Sequence, residues 1–124
     1  MIADLQYVSA IFLPADSPAE MARWYTEKFG IAMPNEWEGG FYGRLPQGTV
    51  SFMLGVVPRK DGQSRWEGLS IFFAVDDFAG YLEQLREKDL APYEVEHTHN
   101  GHFASFRDPE GYTVVVWHPN GDAR

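Results

Sequence analysis

The feature that most constrains this chain is that it repeats itself. Displaced by 60 positions, Ile11-Phe12 falls on Ile71-Phe72, Asp16 on Asp76, Ala19 on Ala79, and Glu27-Lys28 on Glu87-Lys88. Further along, a displacement of 63 sets Pro46-Gln47-Gly48 on Pro109-Glu110-Gly111 and residues 50–54 on residues 113–117. The change of three residues reads as one insertion in a loop, which surface loops tolerate. Matches that keep their order and register over this span predict a duplicated supersecondary unit.

Each half carries the same order of signals. Apolar runs at 8–13 and 69–75 predict a first strand. Ser17-Pro18-Ala19-Glu20 has the form of a capping box with proline at the first helical position. Met21, Trp24, Tyr25 and Phe29 follow at helical spacing, and Gly30 stops the helix. In the second half Asp76 or Asp77 caps a helix whose Phe78, Tyr81, Leu82 and Leu85 make one apolar face. Shorter strands are expected around 41–44 and 49–54, then around 93–96, 102–107 and 112–117. The turn signals Gly39-Gly40, Pro46-Gln47-Gly48, Asn100-Gly101 and Asp108-Pro109-Glu110-Gly111 lie between them. The expectation is an α+β chain built as βαβββ twice. Module one covers about 5–57, a polar linker 58–68 and module two 69–119, within one domain spanning 1–124.

Composition removes several functions. With 124 residues, 44% of them hydrophobic and 15% aromatic, the chain can bury a core and is not a disordered segment. It has no cysteine, which excludes disulfides, thiolate catalysis and cysteine-held zinc. A formal net charge of −8 argues against a nucleic-acid partner, which would need a basic face. The same charge suits a cationic ligand or simply keeps the chain soluble. There is no signal-type N-terminal segment and no apolar run of membrane-spanning length, so a cytoplasmic protein with no membrane partner is expected.

Three motifs add a family resemblance. They are Trp24-Tyr25-Thr26-Glu27-Lys28-Phe29-Gly30 at a helix end, Phe73-Ala74-Val75-Asp76-Asp77 at a strand-to-helix junction, and Phe106-Arg107-Asp108-Pro109-Glu110-Gly111-Tyr112 before the last strand. With the repeat, they make roughly residues 8–119 resemble the vicinal oxygen chelate superfamily of glyoxalases, bleomycin resistance proteins and extradiol dioxygenases. The resemblance implies a curled mixed sheet around a cleft, with the helices on the outer face and the ligand on the concave side. It also implies that the family's enzymes hold a divalent metal through His, Gln or Glu at four positions, one in the first and one in the last strand of each module. Carried over by register, those positions fall on Ala10, Phe52, Ser70 and Val115. None is a strong ligand for a hard or borderline divalent ion, and a slip of one residue restores no ligand set. No metal and no cofactor are therefore expected. Chemistry that relies on such an ion is not expected either, and the likeness is to the branch that binds antibiotics without metal.

Strand alternation puts Ala10, Phe12, Val50, Phe52, Leu54, Ser70, Phe72, Thr113, Val115 and Trp117 on the concave face. Ile11, Leu13, Ile71, Phe73, Val114 and Val116 then face the helices. The candidate ligand-binding residues are Ala10, Phe12, Phe52, Leu54, Ser70, Phe72, Val115 and Trp117, with His102 at the cleft rim. An apolar, aromatic surface with a few hydroxyls suits a flat organic ligand held by burial and stacking.

Other candidates are less directed. His97, His99 and His102 form a His-x-His-x-x-His run beside the Asn100-Gly101 turn, readable as a metal site or as solvated turn residues. Asp16, Asp76 and Asp77 are explained by helix capping. Glu36, Glu38 and Glu67 beside Trp37 and Trp66 are expected in loops near the cleft mouth, where they would draw a cationic ring or simply face water. No phosphate loop, Ser-His-Asp order or zinc spacing is present. The leading expectation is a homodimeric, metal-free binder of a small aromatic or cationic compound, such as an antibiotic. The alternatives are a lyase, isomerase or dioxygenase-like enzyme using Arg44, His102 or an off-pattern metal, and a protein with a closed pocket that works through contacts with itself or another protein.

Overall fold

A computed structural model describes residues 8–45, 52–62 and 69–119. Contacts divide the chain into two compact units, with the division between Gln63 and Ser64. The first unit holds β1 (Ala10–Ala15), α1 (Pro18–Phe29), β2 (Asn35–Trp37), β3 (Gly40–Arg44) and β4 (Met53–Pro58). The second holds β5 (Ser70–Ala74), α2 (Phe78–Glu87), β6 (Glu94–Thr98), β7 (Gly101–Arg107) and β8 (Thr113–Pro119). Each forms a four-stranded mixed sheet, in the orders β1-β4-β3-β2 and β5-β8-β7-β6. The first and last strands of each unit pair in parallel, and the other neighbours are antiparallel. The α+β reading as βαβββ twice is therefore the observed architecture.

The helix signals act as read. Ser17 caps α1 by accepting from the Glu20 amide at 3.4 Å, and Pro18 opens the helix. Gly30 closes it in the left-handed region at φ 69°, where a Cβ would be strained. Asp77 is the cap of α2, accepting from the Gly80 amide at 3.0 Å. Asp16 has a different role from the expected cap: its carboxylate pairs with Arg59 at 2.7 Å. Arg59 lies in the span read as linker, and Pro58 belongs to β4. Residues 63–68, with Trp66 and Glu67, lie outside the described residues.

Asp108-Pro109-Glu110-Gly111 is a built turn. The buried Asp108 carboxylate accepts from the amides of Glu110 and Tyr112, both at 2.9 Å. The Gly111 amide in turn donates to the Asp108 carbonyl at 2.9 Å. Each of these amides, one buried and one part-buried, would otherwise lose this partner, so one carboxylate holds the turn in place.

The pairing register corrects the repeat. Ala10 faces Met53 and Ser70 faces Thr113, so the displacement of 60 that relates β1 to β5 also relates β4 to β8. Phe41 pairs with Val56 and Ala104 with Val116, which relates β3 to β7 by 63. The three extra residues thus lie between β3 and β4 of the first unit. The loop closes there by Leu45 donating to the Phe52 carbonyl, and in the second unit by Asp108 donating to the Tyr112 carbonyl, both at 3.0 Å. Carrying the displacement of 63 through to residues 50–54 crossed this insertion. The last strand of the first unit accordingly runs Met53–Pro58 and not 49–54. The short β2, with its polar start Asn35-Glu36, carries no apolar pattern by which to read it.

One face of each sheet forms the core with its helix. In the first unit Leu13, Leu54 and Val56 are buried together with Met21, Tyr25 and Phe29 of α1. In the second, Ala104, Phe106, Val114 and Val116 are buried with Leu85 of α2. Complete burial of such side chains contributes roughly 1.5–3 kcal/mol each.

Candidate functional site

The opposite face of each sheet carries the candidate site, and each is described by itself. In the first unit Phe12 faces Gly55, Gly55 faces Tyr42, and Tyr42 faces Asn35 across the ladder. Trp37 lies two residues beyond Asn35 on the same side. The Phe12 ring centroid is 5.0 Å from that of Trp37 and 5.8 Å from that of Tyr42. This three-ring cluster exists because position 55 is glycine. A Cβ there would stand 2.6 Å from the Phe12 ring and 2.8 Å from the Tyr42 Cβ. The sheet floor is thereby lowered under the rings. Trp37 remains 51% exposed, so the cluster presents aromatic surface to its surroundings. Ala10, Met53 and Arg44 complete this face.

In the second unit the same side of the ladder carries Ser70, Phe72, Thr113, Val115, Trp117, Phe103, Ser105 and Arg107. Phe103 and Trp117 are cross-strand partners stacked at 5.7 Å with planes 5° apart. Phe72 is 55% exposed, whereas Val115 is buried. Arg107 is held in position. Its guanidinium lies 4.9 Å over the Tyr93 ring and donates to the Thr113 hydroxyl at 3.2 Å. Arg44 occupies the matching place on β3, opposite Met53. An aromatic surface bordered by one arginine can stack a flat ring and meet a polar edge.

The expected face holds for part of the candidate set. Ala10 and Phe12 share one face in the first unit, and Ser70, Phe72, Val115 and Trp117 share one in the second. Leu54 does not lie with Ala10 and Phe12. It faces Ile11 and stands with Leu13 and Val56 on the helix side, fully buried. Phe52 immediately precedes β4 at the loop-closing pair, in phase with Leu54. The residues that take their place are Met53 and Gly55. Val50 lies outside the described residues. His102 is also corrected. It shares its face with Ala104 and Phe106, on the core side, and its ring lies 5.7 Å from that of Phe78 on α2. Glu36 and Trp37 stand on β2, and Glu38 is in the turn that follows.

Tyr42 and Phe103 are absent from the candidate set, and Trp37, expected in a loop near the cleft mouth, stands on β2. Alternation along Gly40-Phe41-Tyr42-Gly43-Arg44 and along 102–107 is the signal that finds Tyr42 and Phe103.

The corrected register also tests whether a metal would fit at the strand positions the resemblance implies. Val115 corresponds to Gly55, and Ala10 and Ser70 face Met53 and Thr113. These residues offer no imidazole and no carboxylate, so they do not fit a divalent ion. Among the described residues no group of three or more His, Asp or Glu side chains is placed to hold a metal.

The family model for the Glyoxalase/Bleomycin resistance protein/Dioxygenase superfamily matches residues 7–116. The chain belongs to this superfamily. Among solved structures it is similar to TnmS3, an antibiotic binding protein from Streptomyces sp. CB03234. The TM-score is 0.77 at 18% identity, covering 96% of this chain and 100% of that one. Lactoylglutathione lyase from Agrobacterium tumefaciens gives 0.72 at 18% identity, covering 93% and 95%. Oxidase ChaP-H2 gives 0.66 at 20% identity, covering 96% and 98%. At these identities the likeness is one of fold. Comparison with curated protein sequences gives no match. No described helix is long and apolar enough to cross a membrane.

Proposed function

We propose that this superfamily member is a metal-free binding protein for a small, flat, aromatic compound, with sequestration of an antibiotic-type molecule as its role. The observation that carries the reading is the Phe12–Trp37–Tyr42 cluster over Gly55. It is aromatic surface standing on the non-core side of the sheet, next to strand positions that cannot hold the family's metal. Phe72 and the Phe103–Trp117 stack give the second unit a surface of the same chemistry. Burial of aromatic surface against such rings contributes on the order of 1–3 kcal/mol per contact. The net charge of −8 favours a ligand carrying positive charge. The similarity in fold to an antibiotic binding protein supports the same reading. A homodimer in the cytoplasm is the setting proposed for it.

A second reading is an enzyme with a non-standard site. It rests on Arg44 and Arg107, which occupy matching places beside the aromatic surfaces and would steady a developing negative charge.

The test is a titration of bleomycin-type and other flat cationic compounds, followed by tryptophan fluorescence and calorimetry. The expected result is saturable quenching, weakened on Trp37→Ala and on Phe12→Ala. No heat and no change in emission at high concentration would sink the binding role. Turnover of a bound compound that is abolished by Arg107→Ala would instead favour the enzyme.

A further inference from the structure

On the core side of the second sheet, away from the aromatic surface just described, His97 and His102 are direct cross-strand partners on β6 and β7. Their Nδ1 atoms are 2.7 Å apart. Phe78, at the start of α2, packs against both imidazoles, with ring centroids 6.2 Å from His97 and 5.7 Å from His102. His118 stands next in the same row, opposite His102, but its Nδ1 is 2.7 Å from the Val75 carbonyl and is committed to donating there. The pair is therefore two imidazoles with adjoining Nδ1 atoms within hydrogen-bond distance, held by a short hairpin and an aromatic wall.

We infer that His97 and His102 form a chelate site for a borderline transition-metal ion of tetragonal preference, copper(II) or nickel(II). Two metal–nitrogen bonds of about 2.0 Å span about 2.8 Å at a right angle and about 3.3 Å at the tetrahedral angle. The observed 2.7 Å is close to the right-angled spacing and shorter than the tetrahedral one, so once the rings turn from each other toward the ion the pair suits copper(II) and nickel(II) better than tetrahedral zinc. In the metal-free pair one Nδ1–H donates to the other Nδ1. The donor ring must move its proton to Nε2, after which both Nδ1 lone pairs face the ion. No proton is gained or lost by the neutral pair. Solvent supplies the remaining ligands, because His97 is exposed and His102 half-exposed. Edge-on and tilted contact with Phe78 limits ring rotation and so reduces the ordering cost of binding.

The probe is copper(II) chloride, titrated into the purified full chain and read by calorimetry and electron paramagnetic resonance. One site with coupling to two imidazole nitrogens is expected, together with a copper-dependent rise in Tm. His97→Gln and His102→Gln should each weaken binding roughly 10²-fold, because each removes the intramolecular second ligand, and the double variant, with neither imidazole, should bind no more tightly than the weaker single. His99→Gln and His118→Gln should leave the affinity within a few-fold. The inference is overturned if the double variant binds as tightly as the unaltered chain, if His99→Gln matters as much, or if the spectrum of the unaltered chain shows one nitrogen. That spectrum decides the matter even if a variant folds poorly. Zinc binding tighter than copper(II) would overturn the geometric argument.

Discussion

The two units have the same ladder pattern, each in its own sheet, but not the same core. In the first, α1 buries Met21, Ala22, Tyr25 and Phe29, and the last three residues of β1 are buried. In the second, α2 buries Leu85 alone, and no residue of β5 is fully buried. The matching positions explain the difference. Met21 corresponds to Tyr81 and Phe29 to Asp89, which has a positive φ of 61° beyond the end of α2. The second unit concentrates its buried side chains on β7 and β8. Backbone pairing thus keeps a duplicated module recognisable while its helix packing diverges, because ladder hydrogen bonds do not depend on side-chain identity and core packing does.

The largest expected effect sharpens that contrast. Leu13→Ala should destabilise by about 3–4 kcal/mol, and Phe73→Ala, at the matching but half-exposed position, by about 1–2 kcal/mol. Denaturant unfolding measures both, and equal costs would break the comparison. Asp108→Ala should follow at about 2–3 kcal/mol, because two amides lose their acceptor. The matching Leu45 offers no side-chain acceptor, so Leu45→Ala should cost less. A smaller cost for Asp108→Ala than for Leu45→Ala would remove the carboxylate from the account of the turn.

Gly55→Ala should cost about 1–3 kcal/mol by overpacking and should weaken aromatic ligand binding with it, since the added methyl displaces Phe12. The second unit already carries a side chain there, Val115. Unchanged stability together with unchanged near-ultraviolet dichroism would show that the three-ring cluster does not depend on that glycine.

The smallest effect is confined to alkaline solution. Burial pushes the Tyr81 phenol above its ordinary value of 10.0. The unfolded chain therefore loses this proton first, and the contribution is flat below 10.0 and falls as pH rises beyond it. Tyr81→Phe should remove that part of the alkaline loss, whereas Met21→Leu in the first unit should not alter the pH profile. Superimposable alkaline profiles of the unaltered chain and Tyr81→Phe would show that Tyr81 is not buried enough to matter.

Much of the fold was legible in local chemistry. Ser17-Pro18, Gly30, Asp77 and the Asp108 turn each announce an element because a backbone donor or a φ value there requires that residue type. The candidate site was legible in the first strand of each module and in β8. It was misread at Phe52 and Leu54, where an insertion of three residues shifts the phase of an alternating strand. His102 was misplaced because a histidine beside an Asn-Gly turn carries no mark of which face it takes.

By itself, then, the sequence determined the duplication, the caps and turns, and the superfamily. Tertiary structure alone decided which of two alternating sets faces the helix in β4, that Gly55 sits beneath a Phe12–Trp37–Tyr42 cluster, and that His97 and His102 meet. The physical reason is that a strand's period of two specifies its faces only up to a slip of one residue. The slip is removed by hydrogen bonds to a neighbouring strand that is distant in the chain, and no local pattern encodes that register.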